Sequence, residues 1–319
     1  MRAAILRQNG PIESVEVGHM AAPAHRRDEV LVRVHAAAVN PADLKVCSGT
    51  DGAAFIHSKK FPMAIGYDFS GVVEKVGAAV SGRRIGDPVF GHLPYAMSTR
   101  QGSFADYVAV KPDEVGVKPD ALSHIDAAAA ATAGCTALQA LRDKGRLESG
   151  QRVLINGASG GVGSFAVQIA RLLGAEVWAT ASAKKAEFVR GLGAAEVIDY
   201  RLRSIASIDQ TFDLVLDAAS MSSFAEVEPR LGRGGSYVTL LPSASLVRGM
   251  AKSLVARKRC TFVTVQSRAA DLDQLGSWLA AGKLSASVDT TFDLQAITDA
   301  LAKLASGSVQ GKIAIRVAP

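Results

Sequence analysis

A short apolar run that leads into a glycine-rich turn constrains the fold of this chain more than any other feature. Residues Val153–Ile155 are followed by the segment NGASGGVG, residues 156–163. From Val162 to Leu173 the apolar residues recur at the 3.6-residue period of a helix. Apolar runs and helical patterns then alternate as far as Leu240. Such alternation predicts a doubly wound parallel sheet with helices on both faces.

The glycine-rich turn has the context of a dinucleotide-binding loop. Glycine at 160 lets a backbone approach a pyrophosphate, and glycine at 163 lets the helix pack closely against the strand. Free N–H groups at the start of the helix attract phosphate oxygens. Because Ala158 stands where the first glycine of the usual G-x-G-x-x-G pattern falls, a purely structural turn is the alternative interpretation. We assign the phosphate contacts to Ser159, Gly160, Gly161 and Val162.

The end of the next strand indicates which dinucleotide is bound. In proteins that prefer NAD, an acid about 20 residues beyond the loop accepts the ribose hydroxyls. Here that position carries the segment TASAKK, residues 180–185, and the next acid is Glu187. Hydroxyl and ammonium groups attract a 2′-phosphate, whereas a carboxylate repels it. We therefore predict NADPH as the cofactor, with a solvated helix start as the alternative interpretation.

Composition excludes several other classes of protein. The 319 residues include 48% apolar and 21% charged types, so large cores can form. Three cysteines without a CxxC pair indicate reduced thiols and a cytoplasmic protein. We expect no membrane partner, because a membrane span needs about 20 strongly apolar residues, and no signal peptide. The net charge of +6 suits an anionic small molecule as well as nucleic acid.

The first third of the chain differs in pattern from the alternating region. Short β patterns such as Glu29–His35 and Phe69–Val76 are separated by prolines, which predicts a twisted β domain. The tail closes with another strand pattern, Lys312–Val317. We expect residues 1–122 and 264–319 to form a discontinuous substrate domain. Residues 123–263 are then the dinucleotide-binding domain.

Motifs spread over nearly the whole chain identify a family. They are AVNPAD at 38–43, GYDFSGVV at 66–73, GSFADYV at 102–108, SGGVG at 159–163 and GKI at 311–313. In this order they resemble the medium-chain dehydrogenase/reductase superfamily, and in particular its zinc-independent, zeta-crystallin-like quinone oxidoreductases. The resemblance implies an α/β fold, with a GroES-like twisted β domain and a doubly wound parallel-sheet Rossmann domain. It also implies NADPH-dependent reduction of quinones or activated alkenes (α,β-unsaturated carbonyls) by direct hydride transfer, in the cleft between the domains.

The same resemblance bears on the catalytic metal. Zinc-dependent relatives have a cysteine at the position of Asn40, a His-Glu pair at Tyr67-Asp68 and a further cysteine near Thr132. None of these ligands is present here, and three scattered cysteines cannot form a Cys₄ zinc site. We expect no metal, and alcohol oxidation then lacks the Lewis acid that stabilises an alkoxide.

The resemblance also implies contacts for the rest of the cofactor. Ser182, Lys185 and Tyr200 match positions that hold the 2′-phosphate in related quinone reductases. The positions that line the ribose and the nicotinamide correspond here to Asn40, Thr136, Ala218, Leu240, Gly311 and Lys312. Ordinary packing or capping is the alternative interpretation for each of them.

Three polar residues of the first domain are the candidates for catalysis. Hydride addition to a quinone or an activated alkene leaves an enolate-like anion, which water or a weak acid protonates. We predict that Tyr67 donates this proton, that Asp68 tunes its hydrogen bonding, and that Asn40 orients the cofactor or the carbonyl. In the alternative, Tyr67 only packs in an interface and Asp68 caps a turn.

A basic segment raises the question of nucleic acid. Eight basic and no acidic residues lie between Glu228 and Asp271, and some zeta-crystallin relatives bind RNA. The basic core, residues 248–259, contains no aromatic residue on which a base could stack. We therefore expect a solvated helix face, or a rim that attracts anionic ligands, and no nucleic acid partner.

Two rival functions stay open beside this one. The first is a dedicated enone or alkenal reductase that reduces quinones only incidentally. The second belongs to another class: an NADPH-sensing or RNA-binding protein with vestigial catalysis. Consumption of NADPH with a quinone or an enone distinguishes an enzyme from the second rival.

The assembly is predicted from one uncharged segment. Thr261–Val265 is rich in β-branched residues and follows the last strand of the alternating region. As the edge strand of the sheet it would be exposed to uncontrolled pairing. Pairing across a two-fold axis removes that exposure, so we predict a homodimer.

Overall fold

The computed structural model describes residues 1–50, 56–58 and 60–318. The chain forms two compact units, one of residues up to Cys135 together with Gln266 onward, the other of Thr136–Val265. The predicted boundaries were 122/123 and 263/264, so the first one moves into the helix His124–Leu138. The reason is that the N–H and the hydroxyl of Thr132 on this helix both donate to Asp68 of the first unit.

The strands of the described residues divide between the two units. Those of the first unit are β1 (Arg2–Leu6), β2 (Val15–His19), β3 (Val30–Val39), β4 (Met63–Ala64), β5 (Asp68–Val76), β6 (Pro88–His92), β7 (Tyr107–Val110), β8 (Val115–Val117), β15 (Val288–Asp293) and β16 (Lys312–Arg316). Those of the second unit are β9 (Arg152–Asn156), β10 (Glu176–Ala181), β11 (Glu196–Asp199), β12 (Phe212–Asp217), β13 (Leu231–Thr239) and β14 (Arg259–Phe262).

Helices connect these strands. They are α1 (Pro41–Ser48), α2 (His124–Leu138), α3 (Gly161–Leu172), α4 (Ala186–Gly191), α5 (Phe224–Val227), α6 (Ala244–Ala256), α7 (Ala269–Ala280) and α8 (Ile297–Ala305). A π-helical stretch, Gln139–Gly145, continues α2. In the part of the chain that the structure describes, no helix is both long and apolar enough to cross a membrane.

The first unit is built on two sheets. The smaller has the order β2-β1-β4, and the larger β15-β16-β3-β5-β6-β8, with β7 also paired to β3. All neighbours are antiparallel except β15 and β16. Strand β3 runs beyond its predicted end at His35, because Ala36–Val39 are also buried between β5 and β16. Its extension brings Asn40 to the ends of β5 and β16.

The second unit is a parallel sheet with the order β11-β10-β9-β12-β13-β14. This is the 3-2-1-4-5-6 order of a Rossmann domain. On α3, the predicted apolar face packs inward through Phe165, Ala166, Ile169 and Ala170, which are all buried. The predicted fold class, a GroES-like β domain with a doubly wound Rossmann sheet, is confirmed.

Two elements of the second unit differ from their predicted bounds. The helix expected over Ala183–Leu192 begins as a 3₁₀ turn, Ala183–Lys185, and only Ala186–Gly191 is α-helical. The edge strand expected at Thr261–Val265 is β14, which ends at Phe262. It is an edge strand of the sheet, as predicted.

Candidate active site

Many of the predicted cofactor residues lie where the parallel strands of the second unit end. The glycine-rich loop follows β9, Ser182 follows β10, Tyr200 follows β11, Ala218 follows β12 and Leu240 follows β13. The carboxyl ends of parallel strands share one edge of the sheet, and open α/β sheets bind ligands there. Thr136 is placed differently, because it is buried on α2.

The glycine-rich loop has the backbone geometry that a pyrophosphate needs. Gly157 adopts a φ of +80°, and a Cβ at Gly163 would lie 2.2 Å from the carbonyl oxygen of Gly157. Gly160 is the N-cap residue of α3, and as a glycine it gives the helix no side-chain hydrogen bond. A Cβ at Gly160 would come no closer than 3.6 Å to another group, so the backbone there is open to an approaching phosphate. These residues fit a bound dinucleotide.

A network of polar side chains at the strand ends fixes this loop. Asn156 accepts a hydrogen bond from the hydroxyl of Thr180 at 2.6 Å and donates its amide to Asp217 at 2.8 Å. Thr180 also accepts from the N–H of Gly157 at 3.1 Å. Tyr237 donates to the second oxygen of Asp217 at 3.0 Å. We call Asn156, Thr180, Asp217 and Tyr237 the strand-end network. No motif marks this network in the sequence, although each residue lies in or at the end of an apolar run of the alternating region.

The turn that follows β10 contains the predicted 2′-phosphate ligands. Ser182 is buried and Lys185 half-buried, while Tyr200 is exposed at the end of the neighbouring strand β11. The structure adds an acid that the sequence analysis did not consider. Asp199 accepts the N–H of Ala183 at 3.1 Å and that of Arg201 at 2.9 Å. Its carboxylate thus holds the turn through backbone amides.

In the first unit, three of the family-matched positions converge on the carboxylate of a fourth, Asp68. Asp68 accepts from the amide of Asn40 at 2.9 Å, from the ammonium of Lys312 at 3.1 Å, and from the N–H of Thr132 at 3.0 Å. The Thr132 hydroxyl makes a further hydrogen bond to it. The strand register explains this meeting, because Ala38 faces Asp68 while Val39 faces Ile313. We call Asn40, Asp68, Thr132 and Lys312 the lysine cluster; all four are buried.

Two buried carboxyl groups and one ammonium lie in and around the lysine cluster. One ammonium, Lys312, faces the carboxyls of Asp68 and of Asp43, which is buried on α1. Burial raises the pKa of Asp43 to about 8, although its hydrogen bond from the N–H of Asn40, 2.7 Å long, opposes the rise. Asp43 is therefore largely protonated near neutral pH. Only Asp68 then balances the lysine.

Two residues that the resemblance placed on the cofactor have other contacts. The ammonium of Lys312 donates to Val39 O at 2.9 Å and to Asn40 Oδ1 at 2.6 Å, besides Asp68. Its three protons are therefore used inside the cluster. Gly311 adopts a φ of +75°, and a Cβ there would lie 2.0 Å from Ser287 O. Close backbone packing accounts for this glycine without a ligand.

Tyr67, the predicted proton donor, is not presented as an accessible acid. Its side chain is fully buried, and its hydroxyl donates to the carbonyl of Ile56 at 2.8 Å. Burial raises the pKa of Tyr67 well above its ordinary value. These contacts match the packing alternative, and they are a correction to the predicted role. The signal was misleading because Tyr67 is next to Asp68 in the sequence, whereas its hydroxyl bonds to Ile56 and Asp68 bonds to Asn40, Thr132 and Lys312.

A second tyrosine, which the sequence analysis missed, is better placed. Tyr95 is half-buried, its ring centroid lies 4.2 Å from that of Tyr67, and its hydroxyl is hydrogen-bonded to the Thr132 side chain. Burial raises the pKa of Tyr95, as does the charge of Asp68, while the Thr132 contact lowers it. The phenol therefore keeps its proton near neutral pH. No motif marks Tyr95 in the sequence.

The side chains at the positions that bind zinc in the metal-dependent relatives are engaged here in hydrogen bonds and an ion pair. Asn40 and Asp68 accept from the Lys312 ammonium and Thr132 donates to Asp68, so these side chains are already hydrogen-bonded. Within residues 1–50, 56–58 and 60–318, no three His, Cys, Asp or Glu side chains converge as a metal site would require. The donor set is therefore a poor fit to zinc.

Comparison with known proteins defines the family. Residues 26–120 match the alcohol dehydrogenase GroES-like domain, and residues 192–315 match the family described as zinc-binding dehydrogenase. With relatives above 30% identity along most of its length, the chain belongs to the medium-chain dehydrogenase/reductase superfamily. It is an oxidoreductase of that superfamily with a nicotinamide cofactor.

Three relatives illustrate the range of the matches. The mouse protein "NAD(P)H oxidoreductase RTN4IP1, mitochondrial" is 33% identical over 92% of this chain and 83% of its own. The tomato (Solanum lycopersicum) "2-methylene-furan-3-one reductase" is 34% identical over 94% of this chain and 75% of its own. The structure of the quinone oxidoreductase from Coxiella burnetii superposes with a TM-score of 0.91, at 30% identity, over 100% of this chain and 99% of that one.

Proposed function

We propose that this protein uses NADPH to reduce quinones or α,β-unsaturated carbonyls by direct hydride transfer without a metal. The observation that carries the proposal is the lysine cluster. Three of its residues, Asn40, Asp68 and Thr132, stand at the positions of the zinc ligands. The one cation within the cluster is the ammonium of Lys312, which is fixed by three acceptors. Such a centre offers no Lewis acid for alcohol oxidation. It suits acceptors that are already activated towards hydride.

The relatives support the same class of substrate. The Coxiella burnetii neighbour is named a quinone oxidoreductase, and the tomato relative is named for an enone substrate. The tomato name also favours the second candidate, a dedicated enone reductase. Both functions share the hydride step and differ in how strongly the resulting anion depends on an acid.

The second unit fits the cofactor. The backbone of residues 159–162 would hold the pyrophosphate, and Ser182, Lys185 and Tyr200 the 2′-phosphate. When bound, NADPH supplies the hydride. The strand-end network keeps the loop rigid, since Thr180 and Asn156 tie it to three neighbouring strands. Rigidity of this kind lowers the entropy lost when the cofactor binds.

The first unit would handle the proton. The Thr132 side chain, which donates to Asp68, also lies within reach of the Tyr95 hydroxyl, and its hydrogen bond favours the phenolate form of Tyr95. We propose that Tyr95 gives its phenolic proton to the α-carbon of the enolate formed from an enone. The Thr132 hydroxyl can then turn to stabilise the phenolate, and solvent returns the proton. Asn40, held by Lys312 and Asp68, positions the polar edge of this site.

A substrate screen tests the proposal. NADPH oxidation is followed with ortho- and para-quinones, enones, alkenals and simple alcohol–aldehyde pairs, before and after treatment with a strong chelator. We expect turnover with quinones or enones, none with aldehydes, and no effect of the chelator. Stoichiometric zinc in elemental analysis, with activity lost on chelation, would refute the metal-free mechanism. Reduction of enones alone would assign the dedicated enone reductase.

We further propose a cytoplasmic homodimer. The three cysteines are buried free thiols, which fits a reducing compartment, although the mouse relative is named as mitochondrial. The edge strand β14 offers its open side for pairing with a second copy. Light scattering should give the mass of two chains for the wild type and of one chain for Thr261→Lys. A monomeric wild type would refute this assembly.

A further inference from the structure

Helix α6 is firmly attached to the second unit by one of its faces. Ser243 caps its start by accepting the N–H of Leu246, and Leu246 and Gly249 are buried. A Cβ at Gly249 would lie 2.6 Å from the Phe224 side chain and 2.9 Å from the sulfur of Cys260. Glycine therefore lets the helix approach the core closely. The orientation of α6 is fixed, so its other face is always presented outward.

That outward face is apolar. Val247 is 67% exposed, Met250 43%, Leu254 87% and Val255 84%. Residues 247, 250 and 254 follow the i, i+3, i+7 spacing of one helix face, and 255 extends it. We call these four residues the apolar stripe. One exposed leucine needs no explanation, but four large apolar side chains together on one helix indicate a binding surface.

The stripe is accompanied by positive charge. Arg248 and Lys252 lie beside it on the helix, both exposed, and Arg257 ends it. The sequence contains no acid from residue 229 to residue 270. The nearest acid, Glu228, is already paired with Lys252 at 3.2 Å and with Lys258 at 2.9 Å. The surface therefore favours an anionic partner.

We propose that α6 docks on an anionic membrane surface. The apolar stripe enters the boundary between headgroups and acyl chains, and Arg248 and Arg257 contact the lipid phosphates. A helix with one apolar face and basic residues beside it has this binding mode. A second copy of the chain fits less well, because it would bring the same cations together with no acid in the segment to pair them. The proposal is independent of the substrate proposed above.

Sedimentation with lipid vesicles tests the inference on the full-length protein. Wild-type protein is mixed with vesicles of phosphatidylcholine alone or with added phosphatidylglycerol, at low and high salt. We expect binding to the anionic vesicles only, weakened by salt. The double variant Arg248→Gln/Arg257→Gln should bind about 25-fold less, since each cationic side chain contributes about fivefold at such a surface. Val247→Ser/Leu254→Ser should bind at least about tenfold less.

The chain offers a matched control. Leu202 is 83% exposed and lies between Arg201 and Arg203, but it stands alone and follows β11, at the opposite edge of the sheet from β14. Leu202→Ser should bind vesicles as the wild type does, with an unchanged thermal melt for all variants. Equal binding by the stripe variants and the wild type, or no binding by the wild type, overturns the proposal. So does a change from dimer to monomer in Val247→Ser/Leu254→Ser, which would make the stripe a contact between copies.

Discussion

Both units bury a carboxylate at the end of a strand, but they stabilise it in different ways. Asp68 receives the ammonium of Lys312, whereas the donors found for Asp217 among the described residues are neutral: the Asn156 amide, the Tyr237 hydroxyl and backbone N–H groups. Loss of one partner from a buried ion pair leaves an uncompensated charge. Loss of one of several neutral donors leaves the others in place. The first arrangement is a buried ion pair. The second is a set of neutral hydrogen bonds beside the glycine-rich loop.

Removal of the ammonium should have the largest effect. Lys312→Met leaves Asp68 buried without a cation, so we expect unfolding of the first unit to become easier by about 3–5 kcal/mol. Urea denaturation followed by circular dichroism measures the change. A second substitution provides the control: Lys312→Met/Asp68→Asn removes the unpaired charge and should recover much of the loss. If the double variant is no more stable than the single one, Lys312 contributes through packing rather than charge.

Loss of a proton donor should come next. Tyr95→Phe should slow enone reduction about 100-fold, the lower end of the range for general acids, and quinone reduction much less, because an enolate is the more basic anion. Turnover with both substrate classes, compared in H₂O and D₂O, measures the effect. Tyr67→Phe is the matched control, since the two rings are in contact and only the Tyr95 hydroxyl reaches Thr132. A larger enone effect for Tyr67→Phe than for Tyr95→Phe would return the donor role to Tyr67.

Neutralising the other carboxylate should cost less. Asp217→Asn keeps the shape but turns one oxygen into a donor that faces the Tyr237 hydroxyl or the Asn156 amide. We expect a loss of about 1–3 kcal/mol in unfolding free energy, and weaker binding of NADPH and NADH alike, because the loop they share is loosened. Calorimetric titration with both cofactors measures this. An effect on stability as large as that of Lys312→Met would remove the distinction between the two regions.

The two regions also differ in how far the sequence predicts them. The glycine loop, its strand and its helix follow from local rules. Ser182 and Tyr200 were assigned from the resemblance, and they lie near the loop because a parallel sheet brings all its carboxyl ends together. Local rules also led to an error there: residues 183–192 have a helical pattern, but the turn at Ala183–Lys185 is 3₁₀ and a carboxylate from the next strand, Asp199, holds it.

The lysine cluster depends instead on contacts between distant parts of the chain. Asn40, Thr132 and Lys312 meet only because β3, β5 and β16 pair in a particular register and α2 crosses them. The resemblance supplied the positions but not the bonds, so Lys312 was placed on the cofactor although its ammonium binds Asn40 and Asp68. Tyr95 was missed for the same reason. Nothing near it in the sequence signals that its hydroxyl reaches Thr132.

The most local expected effect concerns the cofactor's 2′-phosphate and tests the second-unit side of the comparison. Lys185 lies at the turn after β10, beside the end of β11 that carries Tyr200. A charge-assisted hydrogen bond contributes about 1.5–3 kcal/mol, so Lys185→Ala should raise the Michaelis constant for NADPH at least about tenfold. The constant for NADH should hardly change, because NADH has no 2′-phosphate. Lys184→Ala, at the exposed neighbouring position, is the control and should leave both constants unchanged. Equal weakening of NADPH and NADH by Lys185→Ala would mean that the lysine supports the turn, as Asp199 does, and that the phosphate is held elsewhere.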